Sequence, residues 1–149
     1  MSYLGSVKNF TLPITLPFPG VSGNQSTSSS AYVSIGVIPF DASQTGTPPT
    51  GVTRSLKFAC AIEVSSPGVT GSIRLYNLNT GAAVTGTTLT STSAAESAPE
   101  GLISSSLTVG SSPNIVASLQ LYEVQLKMNG GTGTDLVTCK VATLLGSWA

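Results

Sequence analysis

The chain of 149 residues contains no histidine and few charged side chains. Without an imidazole, neither a Ser-His-Asp nor a Cys-His catalytic arrangement is available. Charged residues make up 8% of the chain, and six Lys and Arg balance six Asp and Glu. A net charge of zero argues against nucleic acid and anionic membranes as partners, because both attract clustered cations. We therefore expect a protein that is not an enzyme and binds neither nucleic acid nor membrane.

Cysteine is also scarce. Cys60 and Cys139 are too few for a cysteine-rich zinc site, and no histidine can complete one. Each falls within an alternating apolar segment, which favours two buried thiols; a disulfide between facing strands is the alternative. Asp41 and Asp135 could each contribute to a calcium site, but neither has acidic neighbours in the sequence. We expect no metal site and no cofactor.

Long hydrophobic runs are missing, and none approaches the roughly 18 residues of a membrane span. The first eight residues lack the basic start and apolar core of a signal peptide, so we expect the protein to be made in the cytosol of the producing cell. Serine and threonine account for 42 of the 149 residues. A chain with few charges and no net charge tends to associate, so we expect part of its surface to be covered in an assembly.

Apolar residues alternate with polar or small ones in several segments, as in strands with one buried face. The clearest example is 54–64, "RSLKFACAIEV", which places Leu56, Phe58, Cys60, Ile62 and Val64 on one face. Similar patterns predict strands at 32–38, 72–78, 82–89, 102–109, 121–128 and 135–145. In these segments the alternation points Tyr32, Tyr122, Val137, Cys139, Val141 and Leu145 inward.

The last two predicted strands are joined by the short glycine-rich loop "NGGTGT", residues 129–134, and we expect them to pair as an antiparallel hairpin. Counting the N-terminal segment, about eight strands are separated by turn signals. This spacing predicts an all-β fold: an antiparallel two-sheet sandwich, jelly-roll-like, with an extended N-terminal arm. Residues 1–30 form the proline-containing arm and a serine-rich linker, and residues 31–149 form the sandwich domain.

The N-terminal arm contains "NFTLPITLPFPG", in which every even position from 10 to 18 is apolar. The prolines at positions 13, 17 and 19 remove backbone donors from one lateral edge only, so the strand can pair along the other edge. It is either an edge strand of its own sandwich or an arm that docks on a neighbouring subunit or another surface. In the second case the anchoring face comprises Phe10, Leu12, Ile14, Leu16 and Phe18.

Aromatic residues, which would be needed to stack on a sugar, are only 6% of the chain. With Tyr32 and Tyr122 placed in the core, Tyr3, Tyr76 and Trp148 are the remaining candidates. The cations Lys57, Arg74, Lys127 and Lys140 occupy outward strand positions without forming a run. We interpret them as solvated residues or as members of intersubunit pairs.

Two segments resemble parts of a known class of protein. The stretch "RLYNLNTG" within residues 71–93 resembles the "RLYNLTTG" hairpin of small β-sandwich structural proteins of tailed bacteriophages. The stretch "YEVQLKMNGG" within residues 120–145 resembles their closing strands. These proteins include head decoration (cement) proteins and appendage domains.

The resemblance implies a virion protein on the capsid surface, made in the host cytoplasm without a signal peptide. Its partner would be the major capsid protein, whose neighbouring subunits it would clamp as a homotrimer at local threefold positions. The alternative is a receptor- or glycan-binding domain of a phage tail or head fibre. That alternative predicts a compact cluster of exposed aromatic and polar side chains.

Overall fold

A computed structural model of the chain describes residues 9–13, 25–46, 50–94 and 98–148. The regular secondary structure of these residues consists of strands, apart from one four-residue 3-10 helix at Ala42–Thr45. Among them, no helix has the length and hydropathy required to cross a lipid bilayer. The strands are β1 (Asn9–Pro13), β2 (Gln25–Thr27), β3 (Val33–Phe40), β4 (Arg54–Val64), β5 (Thr70–Asn77), β6 (Ala82–Ala83), β7 (Leu89–Ser91), β8 (Glu100–Ile103), β9 (Val109–Gly110), β10 (Ile115–Val116), β11 (Gln120–Asn129) and β12 (Val137–Trp148).

Ten of these strands form two antiparallel sheets. In sheet A, β1 and β2 both pair with one edge of β12, whose other edge pairs with β4, and β4 pairs with β8. In sheet B, β3 pairs with β11 and β11 with β5, which also pairs with β6 and β7. The short strands β9 and β10 form a separate parallel pair.

The connectivity of the two sheets is that of a jelly roll. If β1 with β2 and β6 with β7 each count as one interrupted strand, sheets A and B contain eight strand positions. The first position then lies beside the last in sheet A, and the second lies beside the penultimate in sheet B. This arrangement confirms the predicted all-β antiparallel sandwich and gives it the jelly-roll strand order.

The core lies between the inner faces of the two sheets. The five inward residues predicted for β4, namely Leu56, Phe58, Cys60, Ile62 and Val64, are all buried, which confirms the alternation there. From sheet B they face Ile73, Leu75, Tyr122, Val124 and Leu126, each fully buried. Burying one side chain of this size contributes about 1.5–3 kcal/mol, so the facing rows supply the main stabilisation of the sandwich.

A β-bulge in β12 changes which of its residues face the core. Its pairing with β4 shifts between Cys139 and Val141, which makes Lys140 the extra residue. Val141 is consequently 50% exposed, whereas Ala142 and Leu144 are buried. The prediction of one continuous inward face through Val137, Cys139, Val141 and Leu145 is therefore wrong beyond Cys139, because one inserted residue reverses the alternation.

A second bulge, in β3, has the same effect on sheet B. Gly36 is the partner of Val124 and Ser34 the partner of Gln125, so Ile35 is the extra residue. Before the bulge the alternation is reversed, and Tyr32 is half-buried with cationic side chains against its ring. Its predicted core position is wrong, whereas that of Tyr122 is confirmed.

The predicted hairpin between the last two long strands is also wrong. Strand β11 lies in the middle of sheet B and β12 in the middle of sheet A, so the glycine-rich loop crosses between sheets. Both strands bury one face in the shared core, and pairing them with each other would have removed the central strand from one sheet. Gly130 and Gly131, with φ values of 71° and 81°, provide the left-handed backbone that this crossing requires.

The N-terminal strand β1 pairs with the end of β12 in the same chain, as in the first alternative for this segment. Phe10 and Leu12 are the register partners of Gly146 and Leu144. The other three apolar positions of the predicted anchoring face, Ile14, Leu16 and Phe18, lie outside the described residues. Together with β2, β1 places parts of the predicted arm and linker in a sheet of the sandwich.

Gly71 in β5 lies where the two sheets approach each other closely. A Cβ atom at this position would collide with Val137 Cγ2 and contact Val64. We expect Gly71→Ala to lower the free energy of unfolding by about 1–3 kcal/mol, the usual cost of overpacking a core. Urea denaturation followed by circular dichroism measures this change. The matched control is Gly101→Ala in β8, where an added Cβ meets open space; an equal loss in both variants would contradict the explanation.

Candidate functional site

The outer face of sheet B carries a cluster of aromatic and charged side chains, which we call the tyrosine–cation cluster. It is built on neighbouring strands, because Arg74 pairs with Gln125 and Tyr76 with Glu123 across β5 and β11. Side chains directly opposite each other on one face of a sheet contact one another. The cluster consists of Tyr32, Arg74, Tyr76, Glu123, Gln125 and Lys127.

Two cations share one aromatic ring in this cluster. The guanidinium carbon of Arg74 lies 3.7 Å from the ring centroid of Tyr32, and Lys127 Nζ lies 4.8 Å from the same centroid. The Arg74 guanidinium carbon is also 5.4 Å from the ring centroid of Tyr76. These distances fall within the range of attractive cation–π contacts, so Tyr32 and Tyr76 hold the guanidinium in place at the surface.

Hydrogen bonds orient the same guanidinium. Arg74 Nε donates to Gln125 Oε1 at 2.9 Å, and Gln125 Nε2 donates to Glu123 Oε2 at 2.6 Å. The glutamine amide thus stands between the guanidinium and the carboxylate. Within the described residues, neither Arg74 nor Lys127 forms a salt bridge.

Polar and apolar side chains flank the cluster at opposite ends of the sheet. On one side, the hydroxyls of Ser72 and Thr90 lie 3.2 Å apart, and Asn129 Nδ2 donates to Ser72 Oγ. On the other side, an exposed group of large apolar residues ends the sheet. Its members, Val37, Leu78, Leu119 and Leu121, are 41–60% exposed.

The outer face of sheet A differs in character, with a flat row of small and apolar residues. The register of its strands places Ala59 beside Ile103, and Ala61 between Gly101 and Val141. Ile103 and Val141 are 55% and 50% exposed, and the space above Gly101 is open. We call these five residues the sheet A patch.

A buried ion pair borders the sheet A patch. Lys140, the extra residue of the β12 bulge, places Nζ 2.6 Å from Glu63 Oε1. The side chain of Glu63 is only 8% exposed, and its second oxygen, Oε2, has no hydrogen-bond partner. A buried carboxylate oxygen without a donor costs folding free energy, so the ion pair with Lys140 satisfies this carboxylate only in part.

A cleft of about 650 Å³ lies at one end of the sandwich, where the 3-10 helix meets the start of β4. Arg54 Nη1 donates to the Ala42 carbonyl and to Thr45 Oγ1 at 2.7 and 2.6 Å. The guanidinium therefore anchors the 3-10 helix. The cleft is lined by Ser43, Gly46, Arg54, residues 106–109 and Ala117.

The structure brings together some of the sequence candidates and separates others. Arg74, Lys127 and Tyr76, far apart in sequence, meet in the tyrosine–cation cluster, and Tyr32 joins them because of the β3 bulge. Lys57 and Lys140 belong to sheet A instead. Trp148 is the register partner of Arg54 at the end of β12, and Tyr3 lies outside the described residues.

Asp135, considered from the sequence as a calcium ligand, secures the crossing loop. Its Oδ1 accepts hydrogen bonds from the hydroxyls of Ser65 and Ser66, and its Oδ2 accepts from the backbone N–H and hydroxyl of Thr132. One carboxylate thus ties the β4–β5 turn to the β11–β12 loop. In the part of the chain that the structure describes, no three His, Cys, Asp or Glu side chains group as a metal site would require.

No family model matches the chain, and no curated protein matches it.

The hydrogen bonds to Asp135 predict a specific loss of stability in acid. Those from Ser66 and Thr132 lower the pKa of its carboxyl from 3.8 to about 2. Because the folded-state pKa is below the unfolded-state value, the stabilisation is complete above pH 4 and is lost as the pH falls towards 2. We expect Asp135→Asn to be less stable than the wild type at pH 6, with a difference that shrinks as the pH approaches 2. Urea unfolding at pH 6, 4 and 2.5 measures it; a difference independent of pH would contradict this role.

Both cysteines are free and buried, as in the first alternative derived from the sequence. Burial is the main cause that raises the pKa of each thiol to about 12, so both stay protonated at neutral pH. Since the thiolate is the reactive form, we expect iodoacetamide to leave the native protein unmodified at pH 8 and to modify both thiols in 8 M urea. Mass spectrometry counts the adducts. Rapid modification of the native protein, or a mass deficit of two hydrogens before labelling, would contradict this.

Proposed function

We propose that the protein is a non-enzymatic structural protein of a bacteriophage virion. In this role it is a capsid decoration, or cement, protein that binds the outside of the phage head and stabilises contacts between major capsid subunits. The sheet A patch is the observation that carries the proposal. It exposes two large apolar side chains, Ile103 and Val141, beside small residues, and exposed apolar patches mark protein–protein contacts.

The surroundings of the sheet A patch favour a protein partner. Pro13, at the end of β1, is the register partner of Thr143, which pairs with Ala59 inside the patch. The described part of the predicted anchoring segment therefore ends beside this surface. The ion pair adds a charged group at the rim, because the Lys140 side chain is 26% exposed and can contact a partner.

The mechanism in this proposal is mechanical. Contacts across the boundary between capsid subunits exist only in the assembled shell, so their free energy stabilises the shell against its separated parts. A homotrimer, implied by the phage resemblance, would place three patches around one local threefold axis. Three linked contacts bind far more tightly than one, because the second and third form at high effective concentration.

The fold and the resembling segments agree with this role. Jelly rolls occur in viral capsid and lectin domains, although a shared fold alone does not establish a function. The segments that resemble phage structural proteins correspond to β5–β7 and β11–β12. They carry structure rather than catalytic chemistry, which fits a protein without histidine.

A second candidate function is favoured by the tyrosine–cation cluster. A receptor- or glycan-binding domain of a tail or head fibre should present aromatic and polar side chains together at its surface. Tyr32, Tyr76 and Arg74 form such a group on the outer face of sheet B. The two functions use opposite faces of the sandwich, so separate variants can test them.

The decoration proposal predicts that charge on the sheet A patch abolishes head binding. In Ile103→Asp/Val141→Asp, the two most exposed patch residues become anions that a protein contact would have to desolvate. Covering each apolar side chain is worth about 1.5–3 kcal/mol, so affinity should fall by roughly tenfold or more. Cosedimentation with undecorated heads of the phage that encodes the protein measures retention.

The matched control is Leu119→Asp, which alters a residue of similar exposure at the end of sheet B. It should retain head binding. A double variant with the wild-type circular dichroism spectrum and unchanged retention would overturn the proposed surface. Failure of the wild-type protein to cosediment would overturn the decoration role itself.

A further inference from the structure

The tyrosine–cation cluster combines groups that its own hydrogen bonds leave partly unused. Arg74 uses Nε for Gln125, whereas its Nη1 and Nη2 atoms donate no hydrogen bond within the described residues. Lys127 Nζ lies 4.8 Å from the Tyr32 centroid and forms no salt bridge there. The one carboxylate of the cluster, Glu123, accepts from the Gln125 amide. The two cations and the one carboxylate therefore leave a net positive charge at this surface.

The guanidinium is fixed in a geometry suited to an anion. Tyr32, Tyr76 and Gln125 hold it from three directions, so little side-chain entropy remains to be lost on binding. A planar guanidinium with free terminal nitrogens binds a carboxylate through two parallel hydrogen bonds. The cluster is thus suited to an oxyanion such as a carboxylate.

The groups around the cluster indicate what carries that carboxylate. Thr90 and Asn129, both held by the buried hydroxyl of Ser72, offer a neutral hydroxyl and a neutral amide, which match sugar hydroxyls. Tyr76 supplies an aromatic ring at the surface. The exposed apolar group that includes Leu121 lies at the end of the same sheet. Nucleic acid would require a longer track of cations than these two.

We propose that the tyrosine–cation cluster binds an acidic saccharide, with a hexuronate carboxylate on Arg74 and Lys127 and the sugar ring against Tyr76. The inference rests on the second candidate function and makes its ligand class specific, and it is independent of head binding through the sheet A patch. Thr90 and Asn129 would contact the hydroxyls of the adjoining sugar unit. The β3 bulge is part of the site, because it places Tyr32 under both cations.

Isothermal titration of the full chain with trigalacturonate tests the proposal, with neutral maltotriose and hexaglutamate as comparison probes. We expect binding of trigalacturonate that weakens as salt is raised, and clearly weaker binding of the other two. Arg74→Gln should reduce affinity by roughly tenfold or more, because it removes charge-assisted hydrogen bonds to the carboxylate. Lys127→Gln should weaken binding less, since it removes a single point charge.

The matched control is Lys57→Gln, which makes the same charge change on sheet A and should leave the affinity unchanged. Equal losses of affinity in Arg74→Gln and Lys57→Gln would overturn the proposed location of the site.

Binding of maltotriose as tight as that of trigalacturonate would overturn the requirement for an acidic ligand while leaving glycan binding in place. Hexaglutamate binding as tight would overturn the saccharide class, and no binding of any probe would overturn both this inference and the glycan-binding candidate. Head cosedimentation is unaffected by each of these outcomes.

Discussion

The alternation of side chains along the central strands is the constraint on which the rest of the structure depends. Strands β4 and β12 in sheet A, and β5 and β11 in sheet B, each bury every second residue in one shared core. Once Phe58 and Ile62 are fixed inward, Ala59 and Ala61 must face outward. The outer surfaces are therefore determined by the same pairing that forms the core, and a one-residue slip in β4 would destroy both.

Two bulges modify this constraint, and each lies beside one of the candidate surfaces. The bulge at Lys140 turns Val141 outward into the sheet A patch and lets Lys140 reach Glu63. The bulge at Ile35 brings Tyr32 out to Arg74 and Lys127. A bulge interrupts the ladder of hydrogen bonds and is retained where it directs a side chain to a useful position. Its presence beside both surfaces supports assigning them roles beyond folding.

Much of the fold could be predicted from the sequence, because long alternating segments bury enough apolar area to determine their own conformation. Strand β4 has the predicted bounds, and β11 and β12 differ from theirs by a few residues. The pairing of β11 with β12 was predicted wrongly, since a short loop is equally able to cross between sheets when its glycines adopt positive φ. Predicted strand 82–89 is interrupted and 102–109 is mostly lost, because these weaker segments pair only at their ends.

The candidate surfaces were less predictable, because they depend on single inserted residues. Nothing in the alternation around Tyr32 or Val141 marks the position of a bulge, and each bulge reverses the assignment of the residues beyond it. The alternation correctly predicts that Arg74 and Lys127 point outward. It does not show that both contact the Tyr32 ring, because they lie more than fifty residues apart in the sequence.

The positions of the few charged residues show what each contributes to the structure. Glu63 pairs with Lys140, Asp135 ties two turns together and Arg54 holds the 3-10 helix. These residues serve the fold locally, so the sheet A patch has little long-range field to steer a partner. In the proposed decoration role, association through the patch would rely on covered apolar area and on several copies acting together, at an ordinary rate of encounter. In the tyrosine–cation cluster, Arg74 and Lys127 lie together on one ring without a salt bridge, and there electrostatic attraction would help to select the proposed ligand.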